Sequence, residues 1–154
     1  MENRQGETAA VLFEAKPEID IHEQSPIALA FVGDGVFEVL VRARLVERTR
    51  LVPNRLHAAA VKFVSAKGQY AALEVIAPLL DEAERAVVRR GKNSTKATVA
   101  KHATPQEYRA STALESLFGW LYLQGSYDRL NELFTVLLPA AQEWADNQRP
   151  TRRG

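Results

Sequence analysis

Ala28-Leu-Ala-Phe-Val-Gly-Asp-Gly-Val-Phe-Glu-Val-Leu-Val41 is the stretch on which the reading of this chain turns. Ser25-Pro26 just before it supplies an N-cap and a proline at the first helical position, so a helix is expected from there to about Glu47. The helix is apolar round most of its circumference and must be covered on more than one side, by its own core or by a second copy of the chain. One carboxylate, Asp34, stands between two glycines in the middle of it. Burying an ionised carboxylate without a partner costs several kcal/mol or more. No Lys or Arg lies within a helical turn, and the same-face neighbour Glu38 is a second acid. A divalent cation is the simplest partner.

Working outward, residues 1–24 are polar and acidic and read as a flexible arm, dispensable for chemistry, with one short helix near Thr8 to Phe13. Pro53-Asn54 breaks the chain and re-caps it for a second helix over Arg55 to Ala66, with Gly68 as its stop. A third runs from about Gln69 to Ala77, ended by Pro78. Asp81 with Glu84 gives a capping box for a fourth, closed by Gly91. Residues 92–103 show no period and read as an exposed loop, long enough to suggest a function. Thr104-Pro105-Gln106-Glu107 is a second capping box, launching a helix to Gln124 with Gly125 as terminator. Ser126 or Asp128 caps a last amphipathic helix to about Ala145, and residues 148–154 read as a disordered tail. Nothing alternates with period two, so the fold expected over residues 25–147 is all-α, in one domain.

The composition narrows the chemistry. The absence of cysteine excludes disulfides and thiolate metal sites, and three scattered His leave oxygen as the metal donor, which favours Mg²⁺ or Mn²⁺. No apolar run reaches membrane-spanning length and the N-terminus lacks a signal-peptide pattern, so no membrane partner is expected and the location expected is cytoplasmic. The formal net charge is +1, yet the charges are polarised. Between residues 39 and 67, Arg42, Arg44, Arg48, Arg50, Arg55, Lys62 and Lys67 face only Glu47; between 85 and 109, Arg85, Arg89, Arg90, Lys92, Lys96, Lys101 and Arg109 face only Glu107. A polyanion meeting one face of the molecule fits that pattern. Phe118, Trp120, Tyr122 and Trp144 fall at helical spacing in apolar stretches and read as core, and nothing pairs His57 with an acid.

A second acid interrupts Ala113-Leu-Glu-Ser-Leu-Phe-Gly-Trp-Leu-Tyr-Leu123. Glu115 has Ser111 and Gly119 one turn before and after it, small residues that let another backbone come close. Two helices, each placing an acid beside glycine, are how a bundle can build a Mg²⁺ or Mn²⁺ site.

At this point the motifs line up with a family. Phe31-Val-Gly-Asp-Gly-Val36 resembles the signature of the ribonuclease III endonuclease domain, Phe-Leu-Gly-Asp-Ala-Val in many members, and Leu114-Glu-Ser-Leu-Phe-Gly119 resembles its second acidic motif, Phe-Glu-Ala-Leu-Ile-Gly. Arg89-Arg-Gly-Lys-Asn93 and Val64-Ser-Ala-Lys67 match in register, and the resemblance spans roughly residues 25 to 140. Tyr108-Arg-Ala-Ser-Thr-Ala113, Glu38, and a chain that ends soon after the last helix resemble the short branch of that family, Mini-ribonuclease III, which lacks a double-stranded RNA-binding domain. Two acids of the full-length enzymes are replaced by Ala30 and Thr112, as in the short branch.

The resemblance implies a homodimeric ribonuclease III-like helical bundle. It implies Mg²⁺-dependent cleavage of double-stranded RNA to 5′-phosphate ends, with the 23S ribosomal RNA precursor as the biological substrate and Mn²⁺ as a substitute ion. Asp34 and Glu115 would be catalytic and hold the metal; Glu38 is either an outer ligand or the partner of a nearby basic residue. Arg90, Lys92, Asn93, Lys96 and Lys101, with Lys62 and Lys67, are the expected phosphate contacts. The alternative, favoured by Ala30 and Thr112, is a non-catalytic RNA-binding or ribosome-associated protein on the same fold.

Overall fold

The computed structural model describes residues 13–94 and 103–147. Six α-helices follow one another: α1 (Pro26–Arg48), α2 (Pro53–Val64), α3 (Ala66–Ile76), α4 (Glu82–Asn93), α5 (Pro105–Leu123) and α6 (Tyr127–Asn147). Two 3₁₀ turns, Ile21–Glu23 and Ala77–Leu79, complete the order, and there is no strand among the described residues. The all-α expectation holds. Residues 8–12 of the short helix expected near the N-terminus, and the tail 148–154, lie outside the described residues.

The helix starts form as their caps dictate. Ser25 Oγ accepts from the Ala28 N–H at 3.1 Å, with Pro26 at the first position of α1. Both capping boxes close, Asp81 with Glu84 at 2.8 and 2.9 Å and Thr104 with Glu107 at 3.1 and 3.3 Å. Each such cap satisfies two N–H groups that the helix itself cannot.

Two glycines read as stops do something else. Gly68 lies inside α3, and a Cβ there would run into the carbonyls of Lys62 and Phe63. The break between α2 and α3 is made instead by Ser65, which ends one helix and caps the next by accepting from the Gly68 N–H at 3.1 Å. Gly91 lies inside α4, which continues to Asn93, and a Cβ there would sit 2.8 Å from the Ala113 Cα of α5. Both therefore serve close backbone approach; only Gly125, with φ at 77°, is a left-handed glycine among those described.

α5 is the axis of the fold. Its run from Ala110 to Leu121 is buried on nearly every side, and α1, α3 and α4 pack against it. Phe37 of α1 meets Phe118 and Phe134 edge to face, with centroids 5.5 and 6.2 Å apart, arrangements worth ~1 kcal/mol each beyond area burial. Phe118 and Trp120 are buried, as expected, whereas Tyr122 is half-buried and donates through its hydroxyl to the Phe13 carbonyl at 2.6 Å. The side chain of Trp144 lies outside the described residues. One buried charge was not foreseen: Glu84, 1% exposed, keeps its capping bond and takes a two-pronged contact from Arg129, at 2.8 Å each, locking α4 to α6. That contact holds the Glu84 carboxyl below its ordinary range.

Candidate active site

α1 and α5 touch backbone to backbone at two glycines. A Cβ at Gly33 would overlap the carbonyl of Glu115, and one at Gly119 would overlap the carbonyl of Leu29. Ser116 Oγ, buried in α5, donates within 2.8 Å of the carbonyls of Pro26 and Thr112 and ties the start of α1 to the same crossing. Asp34 follows Gly33, and Glu115 is the residue whose carbonyl Gly33 touches, so the crossing carries both carboxyl groups to one place. The small-residue stripe around Glu115 works as read for Gly119. Ser111 instead returns its hydroxyl to the Tyr108 carbonyl at 2.9 Å.

The two acids differ in solvation, and the sequence expectation for one needs correcting. Asp34 is exposed, not buried. The packed face of α1 runs through Leu29, Ala30, Gly33, Phe37 and Val41, and Asp34 stands one residue, about 100°, round the helix from Gly33. Desolvation falls on Glu115 instead. Burial first, and then the charge of Asp34, push the Glu115 carboxyl up to about 7, against the opposing pull of the Gln69 amide. Gln69 is 1% exposed and its side chain lies beside Glu115, while its Nε2 makes no hydrogen bond among the described residues.

Such a pair suits a hard divalent cation. Both donors are carboxylate oxygens, neither has a basic partner among the described residues, and the charge of Asp34 makes that of Glu115 costly until a cation arrives. Among the described residues no third Asp, Glu or His joins them. The two positions where acids are missing are built into the packing: Ala30 is buried, and buried Thr112 donates to the Tyr108 carbonyl at 3.1 Å. Glu38, one turn beyond Asp34, lies 3.3 Å from Arg42 Nη2, so of the two roles left open for it the ion pair is the contact in place.

Part of the expected phosphate-contact set stands at the end of α4, which packs on α5. Gly91 rests on Ala113 and Ser116, which flank Glu115 on α5, and its neighbours Arg90, Lys92 and Asn93 are exposed at the end of α4. Lys92, Asn93 and Arg109 line a groove of about 790 Å³ between α3, α4 and α5. Lys67 is exposed two residues before Gln69, Lys62 is half-buried on α2, and His57 is exposed on the same helix. Lys96 and Lys101 lie outside the described residues.

Residues 27–126 match the ribonuclease III domain. The chain belongs to the Mini-ribonuclease III branch of the ribonuclease III family. It is 45% identical over 108 residues to the Mini-ribonuclease 3 of Symbiobacterium thermophilum, covering 70% of this chain and 83% of that one. With the Mini-ribonuclease 3 of Brevibacillus brevis it shares 42% over 109 residues, covering 71% and 81%. A crystal structure of a protein from Fusobacterium nucleatum superposes with a TM-score of 0.71 at 28% identity, covering 78% of this chain and 96% of that one. As a Mini-ribonuclease III the chain is an endoribonuclease, and the non-catalytic alternative drawn from Ala30 and Thr112 gives way. Among its described residues no helix is long and apolar enough to cross a membrane.

Gln69 escaped the reading of the sequence, although a signal for it existed. With Ala72, Leu73 and Ile76 it completes an i, i+3, i+4, i+7 stripe, the buried face of α3. An amide in an apolar stripe position needs a reason to be there.

Proposed function

We propose that this Mini-ribonuclease III cleaves double-stranded RNA with Mg²⁺, for which Mn²⁺ can substitute, leaving 5′-phosphate and 3′-hydroxyl ends, and that its substrate in the cytoplasm is the 23S ribosomal RNA precursor. The observation that carries the reading is the pair Asp34 and Glu115, brought together by a glycine-to-backbone crossing, open to solvent on the Asp34 side and without a basic partner among the described residues. Asp34 and Glu115 would hold the ion, leaving its remaining positions to water and substrate phosphate. When bound, the ion supplies positive charge to the phosphoryl oxygens and acidifies water for attack. The protein's own part is to bring two ionised carboxylates together, to keep Glu115 half out of water, and to hold the duplex in register.

For that last task the cationic end of α4 is suited. Arg90, Lys92 and Asn93, with Lys67 and Lys62, and Lys96 and Lys101 beyond the described residues, offer donors to phosphates and 2′-hydroxyls, the groups through which A-form RNA is read. The exposed apolar residues of α1, Ile27, Phe31 and Val39 among them, support a homodimer in which each subunit cuts one strand.

The deciding experiment is Asp34→Asn. Incubated with a long RNA duplex and Mg²⁺, the variant is expected to lose at least 100-fold in cleavage rate while still retarding the duplex in a gel. Normal cleavage by Asp34→Asn would remove the site assignment.

A further inference from the structure

Gln69 poses a question that the carboxylate pair alone does not answer. Its Nε2 is a buried side-chain nitrogen without a hydrogen-bond partner among the described residues, and leaving a buried donor unpaired is costly. The fold goes to some length to put it there. Ser65 caps α3 and fixes where the helix starts, the Gln69 N–H is held by the Ser65 carbonyl at 2.9 Å, and Gly68 lets that first turn press against the last carbonyls of α2. α3 packs on α5, and Gln69 shares its buried stripe with Ala72, Leu73 and Ile76, so a fully buried amide is brought beside Glu115.

We propose that Gln69 is a positioning residue for Glu115: its Nε2 donates to one carboxylate oxygen when a divalent cation occupies the site, and holds the other oxygen toward Asp34. The inference rests on the metal-site reading above and goes beyond it, since Gln69 touches neither substrate nor ion. The chemistry selects an amide. An ionised carboxylate accepts only, so the NH₂ group is the end that serves it, while a neutral side chain adds no charge to a site that already holds two acids. A ligand held from behind keeps its orientation as ions and substrate exchange, and loss of such a partner weakens metal binding about 10- to 100-fold.

The test uses Gln69→Met, which keeps length and volume without the donor, and Gln69→Leu as a second apolar variant. Mn²⁺ is titrated calorimetrically into the full chain without RNA, and the Mg²⁺ concentration for half-maximal duplex cleavage is measured in parallel. The melting temperature in chelator should be unchanged or raised, because an unpaired buried donor has gone, while Mn²⁺ affinity falls about 10-fold or more and the Mg²⁺ requirement rises alike. In a Glu115→Gln background, Gln69→Met should bring no further loss of affinity. Wild-type Mn²⁺ affinity in both variants, or a lowered melting temperature in chelator with affinity intact, would mean that Gln69 merely packs. Asp34→Asn separates the two ideas: Mn²⁺ binding retained there sinks the metal site itself, whereas binding lost there but intact in Gln69→Met sinks only the role given to Gln69.

Discussion

At the scale of single residues, Glu115 carries a cost that pH can reveal. Its carboxyl is raised from an ordinary value near 4.3 to about 7 in the fold, so the folded protein prefers the protonated form. Stability from this group is fully present below the unfolded value and is lost as pH rises through about 7. Glu115→Gln mimics the protonated state at every pH. In chelator, the variant should melt together with the wild type near pH 4 and several degrees above it at pH 8. The gap corresponds to about 1–3 kcal/mol, because water at the open edge screens part of the shift. Added Mg²⁺ should stabilise the wild type and not the variant. A melting difference that stays constant between pH 4 and 8 would show that Glu115 does not titrate in this range. Both acids were legible in the sequence because a charge inside an apolar helix has few excuses. Their solvation was not, because period alone does not say which side of α1 the rest of the protein covers, and Asp34 proved exposed while Glu115 took the burial. Gln69 was harder still, since an uncharged amide looks like any surface residue until its stripe is traced.

At the scale of elements, the crossing of α1 and α5 decides whether the two acids meet. Gly119 lies under the Leu29 carbonyl with no room for a methyl group, and the obstacle is backbone rather than a side chain that could turn aside. Gly119→Ala gains about 1 kcal/mol of helix propensity and loses more to the forced separation of the helices, typically 1–3 kcal/mol for overpacking and more where backbone must shift. The melting temperature should fall by several degrees, and cleavage should fall more than stability accounts for, about 100-fold, because a 1 Å displacement between Asp34 and Glu115 disturbs both proposed ligands. Thermal melts with single-turnover cleavage at saturating Mg²⁺ check this, and a variant as active as the wild type would show that the crossing tolerates separation. The helix starts were readable in advance because Ser25, Asp81 and Thr104 each act within their own first turn. Gly68 and Gly91 were misread for the opposite reason. A glycine that ends a helix and one that admits a neighbouring backbone look alike in sequence, and only the partner, here Lys62 and Phe63 or Ala113, tells them apart.

At the scale of the whole molecule, the apolar stretch of α1 keeps several large hydrophobic side chains exposed among the described residues. Phe31 is 85% exposed, three residues before Asp34, with Val39 at 61% and Val46 at 66% along the same helix. Singly exposed apolar residues are ordinary, but several on one helix beside a proposed active centre are what the proposed homodimer would cover. A two-fold partner seated there would cover Phe31 and set two carboxylate pairs across one interface, which suits cutting both strands of a duplex. Phe31→Glu tests this with little risk to the fold, because the side chain makes almost no contact within its own protomer. The wild type should scatter light as a dimer at micromolar concentration and the variant as a monomer, with helix content unchanged by circular dichroism. Burying a glutamate at the centre of such an interface costs several kcal/mol, enough to raise the dissociation constant 100-fold or more. Double-strand scission should then fall further than nicking, because a lone subunit holds one site against one strand. If Phe31→Glu stays dimeric, or cuts both strands together at the normal ratio, the α1 face is not where two copies meet, and the apolar run needs another occupant.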